Sequence, residues 1–399
     1  MNISKWTQVL LGAGLVSLPA MALAEEATPS VLTAVSSTTL SGYVDTSAVW
    51  KFGTGNANMP GRVYDGADVQ DGFNMNVVSL TLSKPLDEGE WSAGYNLQML
   101  FGPWATKRGT RSIIGEGGDF AFNEAVILLR VPVGNGIDFK VGQFGTFNGY
   151  EAFDTYKNPN WSRSYGFYIE SSAHTGISAS YQFNDVISAA IGVGNMAGFN
   201  NQADAKSGIE SRKAYLGIVT LTAPESFGFL AGGSLSVGYT YGDAVPAGGD
   251  GTVSGVPNPG GRYSQGNFYV GGSIPLPVTG LSLGIAYDYT SSSAFEDSYA
   301  NALAGYINWQ VTEKLKVNAR ADYAWGSNTA YGYTSVDGKN ELFSLTGTVD
   351  YALWKNVISR IEARWDTTLT DDKPFGGIDA DYGNDKNALS VAVNFIYQF

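Results

Sequence analysis

Val357-Ile-Ser-Arg360-Ile-Glu362-Ala-Arg364-Trp-Asp366 carries a charge at every second position from Arg360 to Asp366, with Ile361, Ala363 and Trp365 between. A period of two is that of a β-strand with one wet face and one apolar face, because successive side chains leave opposite sides of the backbone. An α-helix would scatter the same charges around its circumference. Residues 315–325 repeat the arrangement, with Lys316, Asn318, Arg320 and Asp322 set against Val317, Ala319, Ala321 and Tyr323. Uncharged stretches keep the same beat. Leu281, Leu283, Ile285 and Tyr287 oppose Ser282, Gly284, Ala286 and Asp288, and Leu235, Val237, Tyr239 and Tyr241 oppose Ser234, Ser236, Gly238 and Thr240.

Read this way, residues 38–399 contain about sixteen strands, and the connections between them alternate in length. Short ones fall at 85–90, 132–136, 185, 223–232, 274–280, 311–314 and 352–356. Long ones fall at 52–73, 103–120, 148–173, 195–212, 243–266, 291–298, 326–340 and 368–387. An even strand number with short periplasmic turns and long extracellular loops is the pattern of a transmembrane antiparallel up-and-down β-barrel, an all-β fold. A soluble β-sandwich also alternates. The strand ends separate the two, since Trp50, Trp91, Phe101, Trp309, Trp325 and Tyr351 would form interfacial aromatic girdles. A Lys or Arg facing lipid at the bilayer midplane costs roughly 2–4 kcal/mol, so the charged faces must line the lumen. That cost also fixes register, because a slip of one residue exchanges the two faces. Strand parity is ambiguous near Asp138 and Lys140, where Gly142 is a candidate bulge.

Composition narrows the function. The 399 residues include 51 Gly and 13% aromatics, with only 15% charged, against about 25% in ordinary soluble domains. The formal net charge of -13 disfavours nucleic acid as a partner, because phosphate binding needs a basic surface. No Cys is present, which removes thiolate metal sites and Cys nucleophiles. Residues 1–24 read as an export signal, with Lys5 at the start, an apolar run from Val9 to Ala22 and a small-x-small end at Ala22-Leu23-Ala24. Residues 25–37 are then a short periplasmic leader.

The last strand places Leu389, Val391, Val393, Phe395, Tyr397 and Phe399 on one face. It resembles the terminal signal of outer-membrane proteins, which implies recognition of Tyr397 and Phe399 by the barrel-assembly machinery. Lys140-Val-Gly-Gln-Phe144, Gly149-Tyr-Glu151, Asn158-Pro-Asn160, Ser162-Arg-Ser164 and His174-Thr-Gly176, with Phe122-Asn-Glu124 upstream, resemble the OmpL-like β-barrel porin family. The resemblance implies a porin in the bacterial outer membrane, surrounded by outer-membrane lipid. A homotrimer follows by analogy with porins of this size.

Sixteen strands enclose water rather than a packed interior, and selection needs a constriction of set radius and charge. The third long connection is the longest. By similarity to sixteen-stranded porins it folds into the barrel, carrying Glu151, Asp154, Lys157 and Arg163. The facing wall offers Lys316, Arg320, Arg360 and Arg364, with Asp322, Glu362 and Asp366 beside them. An acidic loop start opposite a basic wall would set up a transverse field across the pore. No enzyme activity and no cofactor are expected. The lone His174 reads as a polar residue at a strand start, and Asp379-x-Asp381-x-x-x-Asp385 lacks the spacing and final Glu of a Ca²⁺ loop. The expected function is passive diffusion of small hydrophilic solutes or ions. The alternative is a structural or adhesive barrel with an occluded lumen.

Overall fold

The computed structural model describes residues 38–53, 55–87, 90–108, 118–197, 213–244, 252–253, 256–257, 263–293, 298–379 and 383–399. The expected export signal over 1–24, the leader over 25–37 and Asp381 lie outside them. Sixteen strands close into one antiparallel barrel. They are β1 (Thr39–Phe52), β2 (Gly72–Lys84), β3 (Ser92–Phe101), β4 (Phe120–Val131), β5 (Ile137–Gly145), β6 (Ala173–Gln182), β7 (Ile187–Gly194) and β8 (Ala214–Thr222), followed by β9 (Ser234–Ala244), β10 (Tyr263–Pro275), β11 (Leu281–Ser292), β12 (Ser298–Gln310), β13 (Leu315–Ser327), β14 (Lys339–Tyr351), β15 (Val357–Thr368) and β16 (Asn387–Gln398). Each pairs with its chain neighbours, and β16 closes on β1 with Val44 opposite Tyr397. Closure leaves no unpaired sheet edge. A two-residue pair, Thr252–Val253 with Val256–Pro257, stands outside the barrel sheet.

The alternation read from sequence is visible in exposure. Along β15, Ile361 is 59% exposed while Arg364 is 1% exposed. Along β16, Leu389, Phe395 and Tyr397 face outward, and Ser390, Ala392 and Asn394 are buried inside. The seam is completed by Phe399, whose backbone exchanges hydrogen bonds of 2.8 and 3.0 Å with Gly42.

Gly142 is not a bulge, and β5 keeps one register against β4 and β6. Gly is needed there because a Cβ would sit 2.2 Å from the Ala125 carbonyl oxygen. The register shifts lie elsewhere, skipping Asn76 on β2 and Asn123 on β4. A bulge turns two consecutive side chains to the same face. Asn76 therefore reaches Asp45 (2.8 Å), and Asn123 reaches Gln98 (2.8 Å) while its neighbour Glu124 meets Asn96 (2.7 Å).

The packed core lies inside the barrel rather than outside it. Tyr43, Val77, Leu100 and Ile396 on the wall meet Tyr64, Trp104, Phe153 and Trp161 from the loops. A second cluster joins Ala302, Ala324 and Leu342 to Tyr165, Ile169 and Tyr331. Two short helices contribute to these clusters, α1 (Pro103–Arg108) and α2 (Tyr165–Ile169). Pro103 at the first position of α1 gives up no hydrogen bond there. Ser164 caps α2 by accepting from the Phe167 N–H at 3.2 Å.

Candidate functional site

Residues 146–172 turn into the barrel and lie across the lumen. A backbone led through a barrel interior must find partners for its N–H and C=O groups, and the charged wall supplies them. Arg320 on β13 donates to Glu151 Oε1 (2.8 Å), to the Ser162 carbonyl (2.9 Å) and to the Arg163 carbonyl (3.1 Å), while its Nε holds Asp322 at 2.7 Å. Glu362 on β15 accepts from the Trp161 and Ser162 N–H groups at 2.6 and 3.0 Å. Arg360 donates to the Thr155 and Asn158 carbonyls at 2.8 and 3.0 Å and pairs with Asp350 at 2.8 Å. Arg364 donates to the Arg163 carbonyl at 2.6 Å and pairs with Asp366, which also accepts from the Tyr165 hydroxyl at 2.6 Å. Arg62, from the first long loop, between β1 and β2, joins Asp366 and Asp65. The planar five-donor fork of arginine suits this work, since one side chain can serve several acceptors.

Other parts of the loop are held by strands on either side of these anchors. Asp154 accepts from Tyr43 on β1 (2.9 Å), Gln98 on β3 (2.8 Å) and its own neighbour Lys157 (2.8 Å). Burial alone would raise the Asp154 carboxyl; the Lys157 ammonium and these donors outweigh it and hold the group below its ordinary range. Asn267 on β10 donates to the Ile169 carbonyl at 2.8 Å. Within the loop, Glu151 accepts from the Ser164 N–H at 2.7 Å, and the Asn158 amide ties both the N–H and C=O of Ala152 at 2.7 Å. Arg163 lies among the rings of Tyr64, Trp104 and Phe167, 5.5–5.8 Å from their centroids, a cation–π arrangement. The residues that carry the family resemblance are in large part this clamp.

Between the loop and the wall a cavity of about 940 Å³ remains. Of the ten residues expected at the constriction, Glu151, Asp154 and Lys316 line it. Arg163, Arg320, Asp322, Arg360, Glu362, Arg364 and Asp366 do not; they lie under the loop, each 3% exposed or less. Basic wall and acidic loop start are thus in contact rather than facing each other across a gap, because the loop needs the wall's charges as hydrogen-bond partners. The charged lining also includes Glu124 and Lys140, paired at 2.6 Å, together with Lys107, Arg108, Lys157 and Glu170. Glu170, buried at the loop's end beside Asp288, is raised well above the ordinary carboxyl range by burial first and by the neighbouring carboxyl second. Glu124 is part of the family resemblance, but sequence reading did not place it in the lining; it shares the inward parity of Val126. The other side of the cavity is uncharged, with Ser178, Ser180, Ser234, Ser236, Ser273 and Ser282.

His174 is buried, its Nδ1 donating to the Met196 carbonyl at 2.9 Å. Among the described residues no group of three or more His, Cys, Asp or Glu is placed to hold a metal ion.

The fold has solved counterparts. OmpF of Salmonella typhi, solved with daunomycin, aligns over 91% of this chain and 97% of its own at a TM-score of 0.58 and 13% identity. The trimer form of OmpT, an outer-membrane protein of Vibrio cholerae, aligns over 91% and 99% at a TM-score of 0.57 and 11% identity. The outer-membrane channel DcaP of Acinetobacter baumannii aligns over 91% and 97% at 0.55 and 12%. At such identities the likeness is one of fold. No curated protein matches the sequence. The family model described as putative beta-barrel porin-2, OmpL-like, matches residues 37–399, and the chain therefore belongs to that family and is a porin of the bacterial outer membrane.

Proposed function

We propose that small hydrophilic solutes cross the outer membrane by passive diffusion through the space left between the third loop and the serine-lined wall. The observation that carries this reading is the extent of the cavity. Its lining begins at Gly280 and Gln310, beside the short turns, and reaches Lys107 in α1, beyond the opposite end of β3. Spread over a hydrocarbon thickness of about 30 Å, the volume corresponds to a mean bore of roughly 30 Å² for the centre of a water-sized probe. The loop that narrows the passage is fixed by charge-assisted hydrogen bonds from Glu151 to Arg163 and by Asn267 at Ile169, so the bore is a permanent one. Glu151, Asp154 and Lys316 act as lining groups, and the buried wall charges act as anchors. Residues 1–24 serve export, and the family match starting at residue 37 agrees with a barrel that begins at 38. The outward aromatic rings of Tyr397 and Phe399 are available to lipid and to the assembly machinery. A homotrimer is the assembly we favour, supported by the trimer form of OmpT.

Purified protein in planar bilayers tests the reading. Discrete, long-lived conductance steps, with liposome swelling faster in a monosaccharide than in a trisaccharide, are expected. Electrical silence together with sugar-impermeable liposomes would refute it in favour of a structural or adhesive barrel with an occluded lumen.

A further inference from the structure

The cavity's ion pairs are oriented. In the pair Lys140–Glu124 the lysine side chain is 22% exposed and the carboxylate 8%. In Lys157–Asp154 the figures are 37% and 5%. In both pairs the lysine side chain is the more water-exposed partner, and the carboxylate is buried against the wall or the loop. Asp154 is screened further by Tyr43 and Gln98. Glu151 turns its carboxylate onto Arg320, with both side chains fully buried.

Nearer the short-turn end, Lys316 lies opposite Asp350 across the β13–β14 pairing. The Asp350 oxygens already accept from Arg360 Nε and from Asn318 Nδ2. One carboxylate therefore stands between two cations, while the nearby Glu362 is turned away from the cavity onto the Trp161 and Ser162 N–H groups, which leaves the Lys316 ammonium the less compensated charge beside the cavity. The serine wall opposite contributes none. The order reverses at the rims, where Asp68 is 58% exposed against 23% for Lys107 and Asp87 66% against 27% for Lys84.

We propose that this porin selects small anions, with Lys157, Lys140 and Lys316 forming a cationic track through the lumen of an otherwise acidic protein. The proposal rests on the reading of the cavity as a conducting pore. An anion about 5 Å from one ammonium group in a water-like dielectric is enriched roughly fourfold, and a cation is depleted by the same factor. The preference weakens with salt, because the Debye length falls from about 10 Å at 0.1 M to 3 Å at 1 M.

The test is the reversal potential of single channels in a KCl gradient centred near 0.1 M. Wild-type protein is expected to show chloride permeability above that of potassium. Lys140→Gln, Lys157→Gln and Lys316→Gln are each expected to lower that ratio by roughly five- to fifteenfold, while the corresponding arginine variants keep it. The triple glutamine variant is expected to lose the preference; should it fail to fold, Lys316→Gln alone carries the test, since Lys316 anchors no part of the loop. A cation-selective wild type overturns the proposal, and so does an unchanged ratio in the glutamine variants. Absence of any conductance overturns the pore reading and this proposal with it.

Discussion

Replacing Arg320 with Met should loosen the third loop. The guanidinium is bonded to two carboxylates and two loop carbonyls, and the Arg320, Glu151 and Asp322 side chains are 1% exposed or less. Met keeps much of the volume and removes all of these bonds. Glu151 and Asp322 are then buried charges without their cation. Breaking one partner out of a buried pair costs about 3–5 kcal/mol, and each 1.36 kcal/mol is a factor of ten. The docked-to-undocked ratio of the loop's central segment should fall roughly 150- to 5,000-fold. Glu362, Arg360 and Arg364 still hold their own parts of the loop, so the expected result is partial release. Single-channel recordings should show a larger mean conductance with added open-channel noise, and limited proteolysis should begin cutting between 150 and 165. Removing the stranded charges as well, with Glu151→Gln and Asp322→Asn, should restore much of the wild-type behaviour, because an uncharged set leaves no buried ion behind. Wild-type conductance, noise and protease resistance in Arg320→Met would refute the idea that the wall arginine anchors the loop.

Gly176→Ala on β6 places a Cβ 2.0 Å from the Val193 carbonyl oxygen; overpacking of this kind costs about 1–3 kcal/mol, and a smaller fraction of heat-modifiable, folded barrel in gel shifts should report it. Glu170→Gln should change pH dependence: the folded Glu170 keeps its proton above the ordinary carboxyl range, so folding stability falls as pH rises from about 4.3 toward the raised folded value, and melting curves of the Gln variant should lose that alkaline slope, whereas an identical slope counts against the assignment. Phe399→Ala removes a ring that lies where a Cβ on Gly42 would be, 2.8 Å from its nearest atom; slower refolding into lipid vesicles is the expected outcome, and an unaltered refolding rate would show the ring to be dispensable at the seam.

The architecture was legible because strand alternation is a local property. Arg364 and Ile361 declare their faces from sequence alone, since hydrocarbon rejects one and accepts the other. Parity assigns a side of the wall but not what lies against it. Arg320 and Arg364 do face inward, yet they meet backbone from more than 150 positions away, and no periodicity encodes such a meeting. Asn76 and Asn123 break the beat of two by one residue each, which a pattern reader cannot distinguish from a strand end. Ile396 sits inward among Tyr43, Phe153 and Trp161, where the lumen is packed and not wet. Two signals could have located the short helices: Pro103 followed by Lys107 and Arg108, and Ser164 ahead of Tyr165–Ile169.

The clamp also dictates a sequence of events in assembly. The loop leaves the sheet after β5, but its anchors stand on β13 and β15, with Trp161 and Glu362 separated by 201 positions along the chain. Contacts that distant form late, because the entropy of closing so long a segment must be met first. A half-built sheet of β1 to β8 would offer Asp154 its partners Tyr43 and Gln98 but none of the wall arginines, leaving the carbonyls of Ser162 and Arg163 to water. The calibre of the passage is thus set only once β13 and β15 stand in place to hold the loop.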